Sequence, residues 1–170
     1  MEDGKCHKVY SDGSYIKEID KAGYCIVILK DGEKKEITGS NKTDKHIQNY
    51  EIYALAKAVE VMKEEKIEKA SLLSDSLTII RQVNKKLKGK DLNTNQQPFE
   101  DLYHTVVSFL KEYPEVILTH IKSKENIADN GSRVSAYKEM YQSVLEKKQK
   151  IQENNFFFSQ KFMLVDNSLS

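Results

Sequence analysis

VYSDGSYIKEIDKAGYCIVILK, residues 9–30, decides how the rest of the chain reads. Its first six residues pose a choice. An Asp-Gly pair after a β-branched and aromatic run is a frequent turn signal, so Asp12 can turn a corner. Near the end of a first strand it can equally hold a metal. Downstream, SYIKEIDKAG reads as a loose connection to a second strand, AGYCIVILK. Asp31-Gly32 then separates that strand from EKKEITGS, and two residues of this kind between β-rich runs predict a type I′ hairpin with positive φ at both turn positions. Three antiparallel strands follow.

Beyond a polar link, NYEIYALAKAVEVMKEEKIEKA places Ile52, Leu55, Ala56, Val59 and Met62 at helical spacing. ASLLSDS is a short apolar run ending in polar residues, followed by the helical period of LTIIRQVNKKL, with Ser74, Asp75 or Ser76 able to cap that helix. GKDLNTNQQP reads as a loop, Pro98 suits the first turn of FEDLYHTVVSFLKEY, and Pro114 stops that helix. EVILTHI is a strand, and after KSKENIAD a helix runs on through Gly131. The expected class is therefore α/β, a five-stranded mixed sheet of three antiparallel strands then two parallel, flanked by helices.

At 170 residues the chain fits one domain, residues 1–150, with a tail at 151–170. Charged residues make up 31% of it but the net charge is only +1, which excludes an overall basic coat and leaves room for local patches. No signal-peptide pattern and no bilayer-length apolar run are present, so the expectation is a soluble cytoplasmic protein without membrane contact, and a monomer. Cys6 and Cys25 both fall in strand-like stretches and read as buried free thiols.

Four acids stand at element edges on this coarse fold. Asp12 is near the end of the first strand, Glu51 at the start of the first long helix, Asp75 at the end of the fourth strand and Asp129 near the start of the last helix. Singly each has a bland reading: a turn, a first-turn helix acid, an N-cap, an exposed helix acid. Together at one end of a sheet they would form a carboxylate cluster, which is costly unless a cation neutralises it. Hard oxygen donors of this kind suit Mg²⁺ or Mn²⁺, and two such ions can hydrolyse a phosphodiester without a protein nucleophile.

In order, VYSDGSYIKEIDKAGYCIVIL, QNYEIYALAKAVEVM, LLSDSLTIIRQV and ILTHIKSKENIADNGSR resemble the type 1 ribonuclease H family over about residues 6 to 145. The last motif is most like the ribonuclease H domains of retroelement polyproteins. The resemblance implies a ribonuclease H-like fold and a metal-dependent endonuclease that cuts the RNA strand of an RNA–DNA hybrid. It puts the metal-ligand and catalytic roles on Asp12, Glu51, Asp75 and Asp129, with Asp12 bridging two ions, and so answers the opening question for the metal. It also implies substrate contacts from Gly13, Ser14 and Ser76, and from Gln48 and Asn49 toward the minor groove, where 2′-hydroxyls distinguish RNA from DNA.

The chain departs from the family in several places. Where many relatives carry a loop histidine that helps product or metal leave, the nearest equivalent is Lys124, which can hold a phosphate but not shuttle protons. His120 reads as a packed or half-exposed ring on its strand. Leu77 replaces a polar base-contacting side chain of some relatives. Of a larger basic extension only NKKLKGK is left, whose Lys85, Lys86, Lys88 and Lys90 either track a DNA backbone or are solvated. The Phe-rich tail docks on the domain, meets a protein partner or is a disordered end. Two other functions remain open: a catalytically idle hybrid-binding module of a larger replication, repair or reverse-transcription assembly, and a nuclease for another nucleic acid.

Overall fold

The computed structural model describes residues 6–40 and 49–168, with side chains through residue 161. Three strands come first: β1 (His7–Ile16), β2 (Lys21–Lys30) and β3 (Glu33–Ser40). They are followed by α1 (Tyr50–Glu64), β4 (Ala70–Ser74), α2 (Leu77–Leu87), α3 (Glu100–Glu112), β5 (Val116–His120) and α4 (Asp129–Ser168). The sheet order is β3-β2-β1-β4-β5. The first three strands pair antiparallel, and β4 lies parallel between β1 and β5, as the sequence predicts.

The hairpin forms as its turn residues require. Asp31 and Gly32 have φ of 51° and 80°, and Lys30 faces Glu33. Strand alternation then sorts the two faces of the sheet. Val9, Ile26 and Ile28 join Ile52, Leu55, Val59 and Met62 of α1, together with residues of α2 and α3, in one large core. Cys25 and Val27 point to the other face, where α4 packs with Ala128. Burying one such side chain stabilises by about 1.5–3 kcal/mol, so α1 is held by its buried face rather than by propensity.

Several expectations are corrected. Asp12 is not near the end of its strand: β1 runs on to Ile16, Asp12 faces Cys25 across the ladder, and the loose connection shrinks to residues 17–20. The antiparallel partnership with β2 carries Ser14, Tyr15 and Ile16 into the sheet despite the Asp-Gly signal. The first helix ends at Glu64, because Lys66 takes a left-handed φ of 56° and Ile67 N–H reaches back to the Met62 carbonyl, 2.9 Å. Cys6 is exposed and precedes β1; only Cys25 is a buried thiol, and burial pushes its pKa up to about 12. Residues 151–168 continue α4, with Phe156, Phe157 and Phe158 exposed.

No helix among the described residues is long and apolar enough to cross a membrane.

Candidate active site

β1 outruns its parallel neighbour. Pairing with β4 stops at Tyr10↔Leu73, whereas pairing with β2 continues to Ile16↔Lys21. The edge of β1 freed from Ser11 onward opens into a cleft of about 890 Å³, beyond the carboxyl ends of the parallel strands. In α/β sheets this is where ligands bind. Asp12, Gly13, Ser14, Glu51, Asp75, Ser76, Lys124 and Asp129 all line it, as do Tyr15, Tyr50, Arg133 and Tyr137.

Each acid arrives on a different element. Asp12 projects from β1, and Glu51 from the first turn of α1. That turn approaches β1 so closely that a Cβ at Gly13 would lie 2.2 Å from the Tyr50 carbonyl oxygen, so only glycine fits. Asp75 directly follows β4, and Asp129 opens α4. Ligand oxygens of Asp12, Glu51 and Asp75 lie within 4.8 Å of one another. Asp129 stands outside that trio in the same cleft, with Arg133 Nη2 3.2 Å from its carboxylate.

The crowding shows in the electrostatics. Burial, then the charges of Asp75 and Asp129, push Asp12 up to about 7, against a hydrogen bond from Ser132 that pulls it down. Burial, then the charges of Asp12 and Asp75, push Glu51 up to about 8, against the Gly13 N–H that donates to it. Three mutually repelling carboxylates in a desolvated pocket form a donor set that a hard divalent cation fits: all oxygen, no thiol or imidazole, and a repulsion that only positive charge or protons relieve.

Asp12 is held at both oxygens. Ser132, fully buried, donates from Oγ to Asp12 Oδ2 at 2.5 Å, while Asn126 Nδ2 lies 3.5 Å from Oδ1 and 3.1 Å from the Ser11 carbonyl. With its proton on Asp12, Ser132 accepts from the Ser14 hydroxyl, 2.6 Å away. The approach that permits this depends on Gly23 of β2, where a Cβ would lie 2.4 Å from the Ser132 carbonyl oxygen. Sequence reasoning assigned Ser132 and Asn126 no role. Ser132 was findable, since it lies three residues after Asp129 and hence on the same face of α4; Asn126 gives no signal without the fold.

Other predicted positions differ in their surroundings. Gln48 lies outside the described residues. Asn49 is buried at 7% exposure and donates from Nδ2 to Gln96 Oε1 at 2.6 Å, an oxygen that also accepts from Tyr103 at 2.7 Å. Ser76 is the N-cap of α2 but makes no side-chain cap; instead its N–H donates to Ser74 Oγ, 3.2 Å. His120 is neither packed nor half-exposed: it is exposed at the end of β5, with Nε2 3.2 Å from the Asp75 carbonyl oxygen, a contact that requires hydrogen on Nε2. Lysine 86 pairs with Glu100, and Lys85 donates to Asn93 at 2.8 Å.

A sequence profile for RNase H matches residues 5–153. No curated protein matches the chain. Among solved structures, RNase H1 from the halophilic archaeon Halobacterium salinarum NRC-1 is similar at a TM-score of 0.60 and 22% identity, over 76% of this chain and 96% of the archaeal one. LC11-RNase H1, isolated from compost by a metagenomic approach, is similar at a TM-score of 0.64 and 20% identity, over 80% of this chain and 99% of its own. The same compost protein in complex with an RNA/DNA hybrid is similar at a TM-score of 0.59 and 22% identity, over 79% and 99%. At these identities the likeness to each is one of fold.

Proposed function

The chain belongs to the RNase H family, and from that premise we propose that it is an endonuclease cutting the RNA strand of RNA–DNA hybrids with two divalent cations, Mg²⁺ or Mn²⁺, held by Asp12, Glu51, Asp75 and Asp129. The observation that carries this reading is the trio of carboxylates within 4.8 Å at the floor of an open cleft, with Asp129 beside it. When bound, the cations supply an activated water on one side of the phosphodiester and charge neutralisation at the leaving oxygen on the other.

The chain's own residues do the rest. Asp12, Glu51 and Asp75 would hold the cations between them, and Asp129, in the same cleft, would add a fourth carboxylate to the donor set. Ser132 and Asn126 fix the Asp12 carboxylate so that its lone pairs do not have to be reoriented on binding. Gly13, Ser14 and Ser76 stand beside the acids where the RNA strand would pass, and Lys124 at the rim meets a phosphate. His120, through Asp75, steadies the β4 end of the cluster. Residues 1–150 form the catalytic unit in this reading.

The test is an end-labelled RNA–DNA hybrid beside the matching RNA duplex, single-stranded RNA and DNA duplex, with Mg²⁺, with Mn²⁺ and with EDTA. Internal cuts confined to the hybrid's RNA strand, metal-dependent and absent in Asp12→Asn, are expected. Appreciable cutting by that variant would overturn the assignment of Asp12, and tight hybrid binding without any cutting would make the domain an idle binding module.

A further inference from the structure

The last helix carries a surface that the cleft does not use. α4 packs on the sheet through Gly131, Ser132, Ser135 and Ala136, and from residue 144 to 161 every residue is exposed. These 18 residues amount to about 27 Å of helix standing clear of the body. An isolated helix of this length is marginal in water, more so with Asn154 and Asn155 in its middle, so it gains stability only by covering its apolar side.

That side has a pattern. Taking Tyr141 as the first position of a seven-residue repeat, the first and fourth positions are Tyr141, Val144, Lys148, Ile151, Asn155 and Phe158. The four apolar members are 61%, 54%, 60% and 71% exposed. The seam lies on the side of α4 turned away from the sheet, bordered by Leu145, while Phe156 and Phe157 fall outside it. A stripe of two positions in seven is the width of one facing helix.

Charge selects the occupant. Lys148 lies in the seam and Lys147 and Lys161 on its flank, whereas Glu146 and Glu153 fall in the row opposite. A second copy would bring Lys148 against Lys148 when parallel, or into the next layer when antiparallel. Nucleic acid phosphates would match the lysines but gain nothing from Val144, Leu145 and Ile151. We propose that the seam receives one amphipathic helix of a partner protein, apolar along a stripe and acidic on its flanks, in a two-stranded coiled coil. Asn155 sets the register by facing a polar residue of the partner. Tyr137 is the last α4 residue on the cleft, so docking leaves the acidic cluster open.

The test uses the full chain and two synthetic 28-residue peptides, each with an Ile/Leu stripe and an Asn to face Asn155, one with Glu flanks and one with Lys flanks. Labelled-peptide anisotropy should give 1:1 binding of the acidic peptide, at least tenfold weaker binding of the basic one, and at least tenfold loss in the Val144→Glu/Ile151→Glu double variant. Circular dichroism and melting check that this variant folds as the parent does. Sedimentation of the chain alone should give a monomer. Self-association dissolved by the double variant would assign the seam to a second copy instead. Equal binding of both peptides, binding of neither, or variant-sensitive binding to anionic vesicles or nucleic acid would each overturn the proposal.

Discussion

Neutralising Asp12 should make the metal-free protein more stable, not less, and only above a definable pH. The unfolded carboxyl releases its proton near its ordinary value of 3.8, the folded one near 7. Between those values the folded state holds a proton the unfolded state has lost. Stability is therefore fully present below pH 4, falls as pH rises, and levels off above 7. The gap of about three pH units corresponds to about 4 kcal/mol. Asparagine keeps an acceptor for Ser132 but turns an amide toward Asn126, costing about 1.5 kcal/mol. In EDTA at pH 8, Asp12→Asn should thus gain about 2–3 kcal/mol, seen as roughly 5–10 °C in Tm for a domain of this size. The advantage should vanish near pH 5, and saturating Mg²⁺ should reverse the order by stabilising only the parent. Thermal melts at pH 5 and pH 8 with and without metal decide it. A variant no more stable than the parent at pH 8, or equally stabilised at both pH values, would refute the picture of a crowded, desolvated cluster.

Divalent binding should release protons in a pH-dependent way: since Asp12 and Glu51 are pushed up to about 7 and 8, nearly two protons leave per cluster filled at pH 6 and almost none at pH 9.5. Calorimetry in buffers of different ionisation enthalpy reads that number directly. Ser132→Ala should weaken Mn²⁺ binding by about tenfold or more, by freeing one Asp12 oxygen and leaving the Ser14 hydroxyl without its acceptor, and Ser132→Thr should recover most of it. Unchanged Mn²⁺ affinity in the alanine variant would reduce Ser132 to packing.

The sheet was legible because its signals are local. Asp31-Gly32 demands one hairpin geometry, and LTIIRQVNKKL matches α2 residue for residue. The same local logic misled at Asp12-Gly13, where a turn dipeptide lies inside a strand because β2 and the approach of Tyr50 leave it nowhere else to go. Glu51, Asp75 and Asp129 could be placed at element ends, but not the spacing of the four acids: that Asp12, Glu51 and Asp75 close into a trio while Asp129 stays with Arg133 depends on helix docking. His120 was read as a strand residue and is one, but its contact with Asp75 runs across 45 positions of sequence, which no periodicity encodes. Phe156 to Phe158 announce an apolar tail without revealing that α4 continues through it and leaves all three exposed.

Asp12 takes its hydroxyl partner from α4, which follows all the other described elements in sequence, and Asp129 comes from the same helix. A chain leaving the ribosome N-terminus first exposes the acids of β1, α1 and β4 well before either. Throughout that interval the growing protein carries an incomplete cluster. Because Asp129 and Ser132 follow the other three acids in sequence, the finished site belongs only to molecules whose synthesis has passed Ser132.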